Sequence, residues 1–173
     1  MKSIEEARTV LQSVLTEDNT KVIMELKDYL DTEDAMSTGY LCFDEAILSL
    51  PTYKKIRELF EYKKERTIIV DCGCGWAIQQ LLFKDFYKYV GIDVYKVDNE
   101  KMMDNRILQD NTVLYTAATE NILDRVVKEL KEEIERDCIE NADIIGVSLL
   151  CHAYFGGDGL DSFKKNFDYM ICI

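Results

Sequence analysis

A chain of 173 residues with 47% hydrophobic and 31% charged side chains has the composition of one soluble globular domain with a sizeable core. Its net charge of −12 argues against a nucleic-acid partner, because phosphates need clustered cations. The densest basic run, Lys54, Lys55, Arg57, Lys63, Lys64 and Arg66, is interrupted by acids and reads as a solvated helix face. No apolar stretch approaches the roughly 20 residues of a membrane span. The N-terminus, MKSIEEARTV, carries acids where a signal peptide would be apolar, so a cytoplasmic location is expected.

Residues 1–66 read as a helical cap within the single domain. Ser3-x-x-Glu6 forms a capping box, followed by Ile4, Ala7, Leu11, Val14 and Leu15 at helical spacing. A second helix is expected with Val22, Ile23, Leu26, Tyr29 and Leu30 on one stripe. Residues 31–40 are a polar break, and a short helix is expected from Phe43 to Leu50. Pro51 suits the first turn of the next helix, with Ile56, Leu59 and Phe60 facing inward.

From Thr67 the pattern changes to an α/β core over residues 67–173. Thr67-Ile68-Ile69-Val70 is a β-branched run, as in a strand covered on both faces. After a glycine turn, Ile78, Leu81, Leu82 and Phe86 form a helical stripe. Residues 89–94 read as a second strand, and Asp98 is placed to cap a helix to about Leu108. Residues 112–116 read as a third strand. Residues 121–140 form the clearest helix, with Leu123, Val126, Val127, Leu130, Ile134 and Cys138 on one face. Residues 143–150 and 167–173 read as the fourth and fifth strands. Alternating strands and helices imply parallel pairing with right-handed crossovers. The expected fold is an α/β, doubly wound, mostly parallel sheet of about five strands with an N-terminal helical extension. Such sheets bind ligands beyond the carboxyl ends of their strands.

The first of these strands ends in DCGCGWA, residues 71–77. A metal site is a poor reading. Cys72-x-Cys74 supplies two thiols, but a structural zinc wants four ligands. Cys42, Cys138, Cys151, Cys172 and His152 make no second paired motif. The cysteines otherwise read as small buried hydrophobes. Gly73 and Gly75 permit backbone angles that side chains forbid and let a ligand approach the main chain. A helix beginning after them would present N–H groups and the positive end of its dipole. Asp93 closes the second strand, where an acid can accept hydrogen bonds from both ribose hydroxyls. Glycines that merely form a strand-to-helix turn are the simpler reading. Two such features at matching strand ends favour a nucleotide corner. The dinucleotide fingerprint fails, because its last small position falls on Ile78.

The pattern acid-x-Gly-x-Gly-x-small, with Asp71, Gly73, Gly75 and Ala77, resembles the first motif of the class I S-adenosylmethionine-dependent methyltransferases, a family with a Rossmann-like fold. YVGIDV resembles their second motif, and ADIIGVSLLCHAY resembles their fourth strand and following turn. The resemblance covers roughly residues 67–155. It implies S-adenosylmethionine as cofactor. Asp71 would orient the methionine ammonium through water, and Gly73 and Gly75 would pack under the methionine and ribose. Cys72, Cys74, Trp76 and Ala77 would add backbone or wall contacts. Asp93 would hold the ribose diol, with Val94 and Tyr95 near the adenine. His152 would be the candidate general base, with Tyr154, Asp158 and residues 156–159 at the same mouth. Tyr40 and Phe43 would act as a lid.

Two departures stand out. Residues 115–120 offer small neutral groups where the family often reads the adenine amino group with a polar or acidic residue. Backbone groups or Thr119 must then serve. The family's full sheet has seven strands, and an exposed fifth strand here would be a sticky edge suited to a homodimer. The acceptor implied is a small molecule or a protein. Two other readings stay open: a non-catalytic module that binds S-adenosylmethionine, S-adenosylhomocysteine or a partner, and a nicotinamide-dependent oxidoreductase, which the broken fingerprint disfavours.

Overall fold

The computed structural model describes residues 22–25 by backbone alone, and residues 51–75, 77–94, 108–148 and 163–172. Six strands among them form one sheet: β1 (Val22–Glu25), β2 (Thr67–Cys72), β3 (Lys88–Asp93), β4 (Thr112–Thr116), β5 (Asp143–Ser148) and β6 (Tyr169–Cys172). Their order is β1-β6-β5-β2-β3-β4, and every pairing is parallel. Chain progress from β2 runs outward through β3 and β4, then crosses back to β5 and β6 on the other side of β2. The carboxyl end of β2 is therefore the switch point of a doubly wound, Rossmann-like sheet.

Strand alternation divides the core into two layers. Ile69, Tyr89, Ile145, Val147, Tyr169 and Ile171 point to one face. There they meet Tyr53, Ile56, Leu59 and Phe60 of helix α1 (Pro51–Phe60), together with Phe83 and Phe86. Pro51 opens that helix, where its missing N–H costs nothing. Ile68, Val70, Val90, Ile92, Ile144 and Met170 point to the other face. They meet Leu123, Val126, Val127 and Leu130 of helix α2 (Thr119–Arg136), with Phe163 and Phe167. The β-branched run of β2 is buried along its whole length, as a central strand covered on both sides must be. Gly146 lets Phe167 lie against bare backbone, since a Cβ there would fall 2.4 Å from its ring.

Lys63, expected on a solvated helix face, instead clamps the amino ends of β5 and β6. Its ammonium is buried, pairs with Asp143 at the start of β5, and lies 4.7 Å from the centre of the Tyr169 ring. A cation held by a carboxylate and an aromatic face tolerates such burial.

Three further expectations are corrected. Residues 22–25 are strand, not helix. They are a short apolar run that fits either period, and pairing with β6 decides the matter. That pairing also covers the β6 edge, which the sequence leaves exposed. Second, residues after the glycine turn form only a six-residue 3-10 segment, Ile78–Phe83. Ala77 enters it in the left-handed conformation, φ 54°. Arg57 of α1 then holds the Leu82 carbonyl and Asp85 near its end. Third, Cys138 does not extend the buried stripe of α2. It is exposed and left-handed, φ 55°, just beyond the last helical turn.

The other predicted strands lie where the pattern places them. The expected elements in residues 1–21, at 26–50 and at 98–107 lie outside the described residues. No helix among the described residues is long and apolar enough to cross a membrane.

Candidate functional site

The glycine corner sits on the end of β3. The Gly73 and Cys74 N–H groups both donate to the Ile92 carbonyl, at 2.8 and 3.2 Å. Gly73 and Gly75 take φ of 79° and 55°, values that a side chain would resist. The close approach also needs Gly91. A Cβ there would stand 2.8 Å from Cys74 Sγ and 2.7 Å from Leu114 Cδ2.

Asp93 reaches across to this corner. Its Oδ2 accepts the Gly75 N–H at 2.8 Å, and its carbonyl accepts the Ala117 N–H at 2.8 Å. One residue thus ties the ends of β2, β3 and β4 together. Gly73 is exposed, Gly75 is partly exposed, and Val94 follows Asp93 at 60% exposure. Gly73, Gly75 and Val94 form an open rim of bare backbone, with Asp93 buried at 9% exposure behind it.

The other predicted site side chains point inward. Cys72 is buried against α2 with Ile68 and Val70, so only its backbone is at the corner. Ala77 is buried in the opposite layer. Cys74 joins that layer too, and burial, then Asp71, push its thiol well above its ordinary pKa. It is a neutral packing group, not a nucleophile. Thr119 is buried at the start of α2, which leaves the half-buried backbone near Ala117 and Ala118 at the expected adenine position.

Asp71 is the largest departure. It is 1% exposed and engaged by three donors. The Tyr89 hydroxyl donates to Oδ2 at 2.6 Å, the Gln79 amide donates to Oδ2 at 2.8 Å, and the Tyr53 hydroxyl donates to Oδ1 at 3.4 Å. Burial raises its pKa above the ordinary carboxylate range, and the three donors oppose that rise. Both tyrosines are pushed well above their ordinary pKa, chiefly by burial and then by Asp71, so they remain neutral donors. A carboxylate so enclosed braces the corner from beneath.

Gln79 completes the arrangement. Its amide nitrogen also donates to the Cys74 carbonyl at 2.9 Å and lies 3.3 Å from the Tyr53 hydroxyl. Tyr53, Gln79 and Tyr89 are not predicted by the glycine motif. Tyr89 has a sequence signal: it lies two residues before Gly91 on β3, hence on the face that Asp71 shares. Tyr53 has none, because the fold alone brings α1 to the corner.

Trp76, Tyr95, His152, Tyr154, Asp158, residues 156–159, Tyr40 and Phe43 lie outside the described residues. Among the described residues, no group of three or more His, Cys, Asp or Glu is placed to hold a metal ion.

No protein-family model matches the sequence, and no curated protein matches it. Among solved structures, the chain is similar to the crystal structure of PRMT6, with a TM-score of 0.46 and 16% identity. The similarity covers 68% of this chain and 35% of that one, so the chain spans about a third of that protein's length.

Proposed function

We propose that the chain is an S-adenosylmethionine-dependent methyltransferase acting on a small-molecule or protein acceptor. The observation that carries the reading is the bond from the Gly75 N–H to Asp93 at the switch point of the sheet. It joins a glycine corner that a ligand can approach closely to an acid suited to a ribose diol. In this reading Gly73 and Gly75 lie under the methionine and ribose, Asp93 holds the diol, and Val94 lies against the adenine. Asp71 acts on the ligand only through the shape of the corner.

The chemistry asks little of the protein. The acceptor's lone pair attacks the methyl carbon in line, and the carbon–sulfur electron pair leaves with sulfur, which becomes a neutral thioether. Alignment of the two reactants is the main requirement. A base matters only when the acceptor loses a proton, and His152 is the candidate. The charge of −12 disfavours a nucleic-acid acceptor. A cytoplasmic setting is proposed with it.

A module that binds the cofactor without turnover is the second reading. The enclosure of Asp71 favours it, because the acid expected near the methionine ammonium is already committed to three donors. Incubation with methyl-labelled S-adenosylmethionine and mixed small-molecule and protein acceptors separates the two. Transfer of label supports the enzyme. Tight binding with no transfer supports the module, and neither binding nor transfer in folded protein rejects both.

A further inference from the structure

We infer that Gln79 is the positioning residue of the glycine corner: it sets the backbone that the ligand would meet without touching the ligand. The inference rests on the cofactor reading above for its functional consequence, but its geometry stands alone. Gln79 is buried at 4% exposure, and its amide nitrogen faces a carboxylate oxygen, a main-chain carbonyl and a tyrosine hydroxyl. The main-chain carbonyl is an obligate acceptor, so the nitrogen must face it and the side-chain oxygen cannot.

The Cys74 carbonyl is the key contact. It lies between the two positive-φ glycines, and it also accepts the Ala77 N–H at 2.9 Å. Fixing it fixes the peptide that carries the Gly75 N–H, the group bonded to Asp93. Gln79 thereby links Asp71 and Tyr53, below the corner, to the Gly75–Asp93 contact at its rim. The titratable groups around it are Asp71, Tyr53, Tyr89 and Cys74, with Asp93 across the turn. Among the described residues none of these groups is cationic, so none of them can substitute for the amide N–H groups.

Gln79→Glu makes the test specific. When ionised, the introduced carboxylate would oppose Asp71 and the Cys74 carbonyl with no donor, whereas the protonated acid regains a single O–H donor. Gln79→Leu removes the donors at every pH. Amide hydrogen exchange of the corner, expressed as protection factors, is compared with β5 at pH 8 and pH 5.5. S-adenosylhomocysteine affinity is measured alongside by calorimetry.

For Gln79→Glu at pH 8, the expected result is at least tenfold lower protection at Cys74 and Gly75, with Ile145 and Val147 near wild type. Affinity falls in step, and both recover toward wild type at pH 5.5. Gln79→Leu shows the loss without the recovery. Wild-type protection at the corner in both variants overturns the inference. So does a uniform loss across the sheet that pH does not restore, which would mark Gln79 as ordinary core. If the wild-type protein binds no S-adenosylhomocysteine, the cofactor reading fails and the exchange pattern still decides the role of Gln79.

Discussion

Asp71 shows how one buried charge governs its surroundings. Desolvation favours the protonated carboxyl and the Tyr89, Gln79 and Tyr53 donors favour the ionised one, with desolvation the larger. A carboxyl whose folded pKa is raised contributes stability at low pH. That contribution is lost as pH climbs from the ordinary carboxyl range through the raised value. Asp85 has the opposite sign: the Arg57 hydrogen bond holds it far below the ordinary range, so its contribution is lost as pH falls. Subtracting a variant that does not titrate at position 71 cancels Asp85 and the other distant groups. We therefore expect the stability of the wild-type protein, measured relative to Asp71→Asn by denaturant unfolding, to decline as pH rises through the acidic range and then level off. A difference that grows with pH would show that the donors outweigh burial, and a flat one that the two cancel; either contradicts the account. The position of Asp71 at a strand end was legible in its motif. Its enclosure was not, because two of the three donors arrive from α1 and from the segment after the corner.

At the scale of elements, periodicity identified what long-range pairing did not have to decide. The strands β2 to β6 are runs of β-branched and aromatic residues long enough to declare themselves, and α2 carries an apolar stripe that packs as its spacing requires. The failures share one cause: short segments governed by their neighbours. Val22–Glu25 becomes a strand because β6 offers an edge, and Ile78–Phe83 stays short because Ala77 and Arg57 constrain its two ends. The end of α2 illustrates the same point. The Ile139 N–H returns to the Ile134 carbonyl at 3.1 Å and the Cys138 N–H to the Glu135 carbonyl at 3.2 Å. This is a Schellman closure, whose left-handed position usually belongs to glycine. Cysteine there carries a steric cost of about 1–2 kcal/mol, part of which glycine would return to unfolded-chain entropy. Cys138→Gly should stabilise the protein by about 0.5–1 kcal/mol in chemical denaturation. A loss of stability would mean that the thiol makes a compensating contact.

For the whole molecule, the sheet among the described residues has β1 at one edge and β4 at the other. An edge of parallel strand is a template for a second chain, so β1 presents its own outer edge while covering the β6 edge. Breaking it with Ile23→Pro and Met24→Pro together, both in residues paired with β6, should expose that edge. The variant is expected to self-associate at concentrations where the wild type does not change its sedimentation. Unaltered sedimentation and stability would show that β6 is protected without β1. The same architecture places the candidate site at the switch point, where α1, the corner and the ends of β3 and β4 converge.

The most direct test of that site is calorimetric titration of S-adenosylhomocysteine into the wild-type protein and Asp93→Asn. Asparagine keeps one acceptor for the Gly75 N–H, so the corner survives, but it replaces the second carboxylate oxygen that a ribose diol would use. Binding by the wild type, weakened at least tenfold in Asp93→Asn at unchanged melting temperature, is the predicted result. No binding by folded wild-type protein, or equal binding by both, would contradict the placement of the cofactor at this corner.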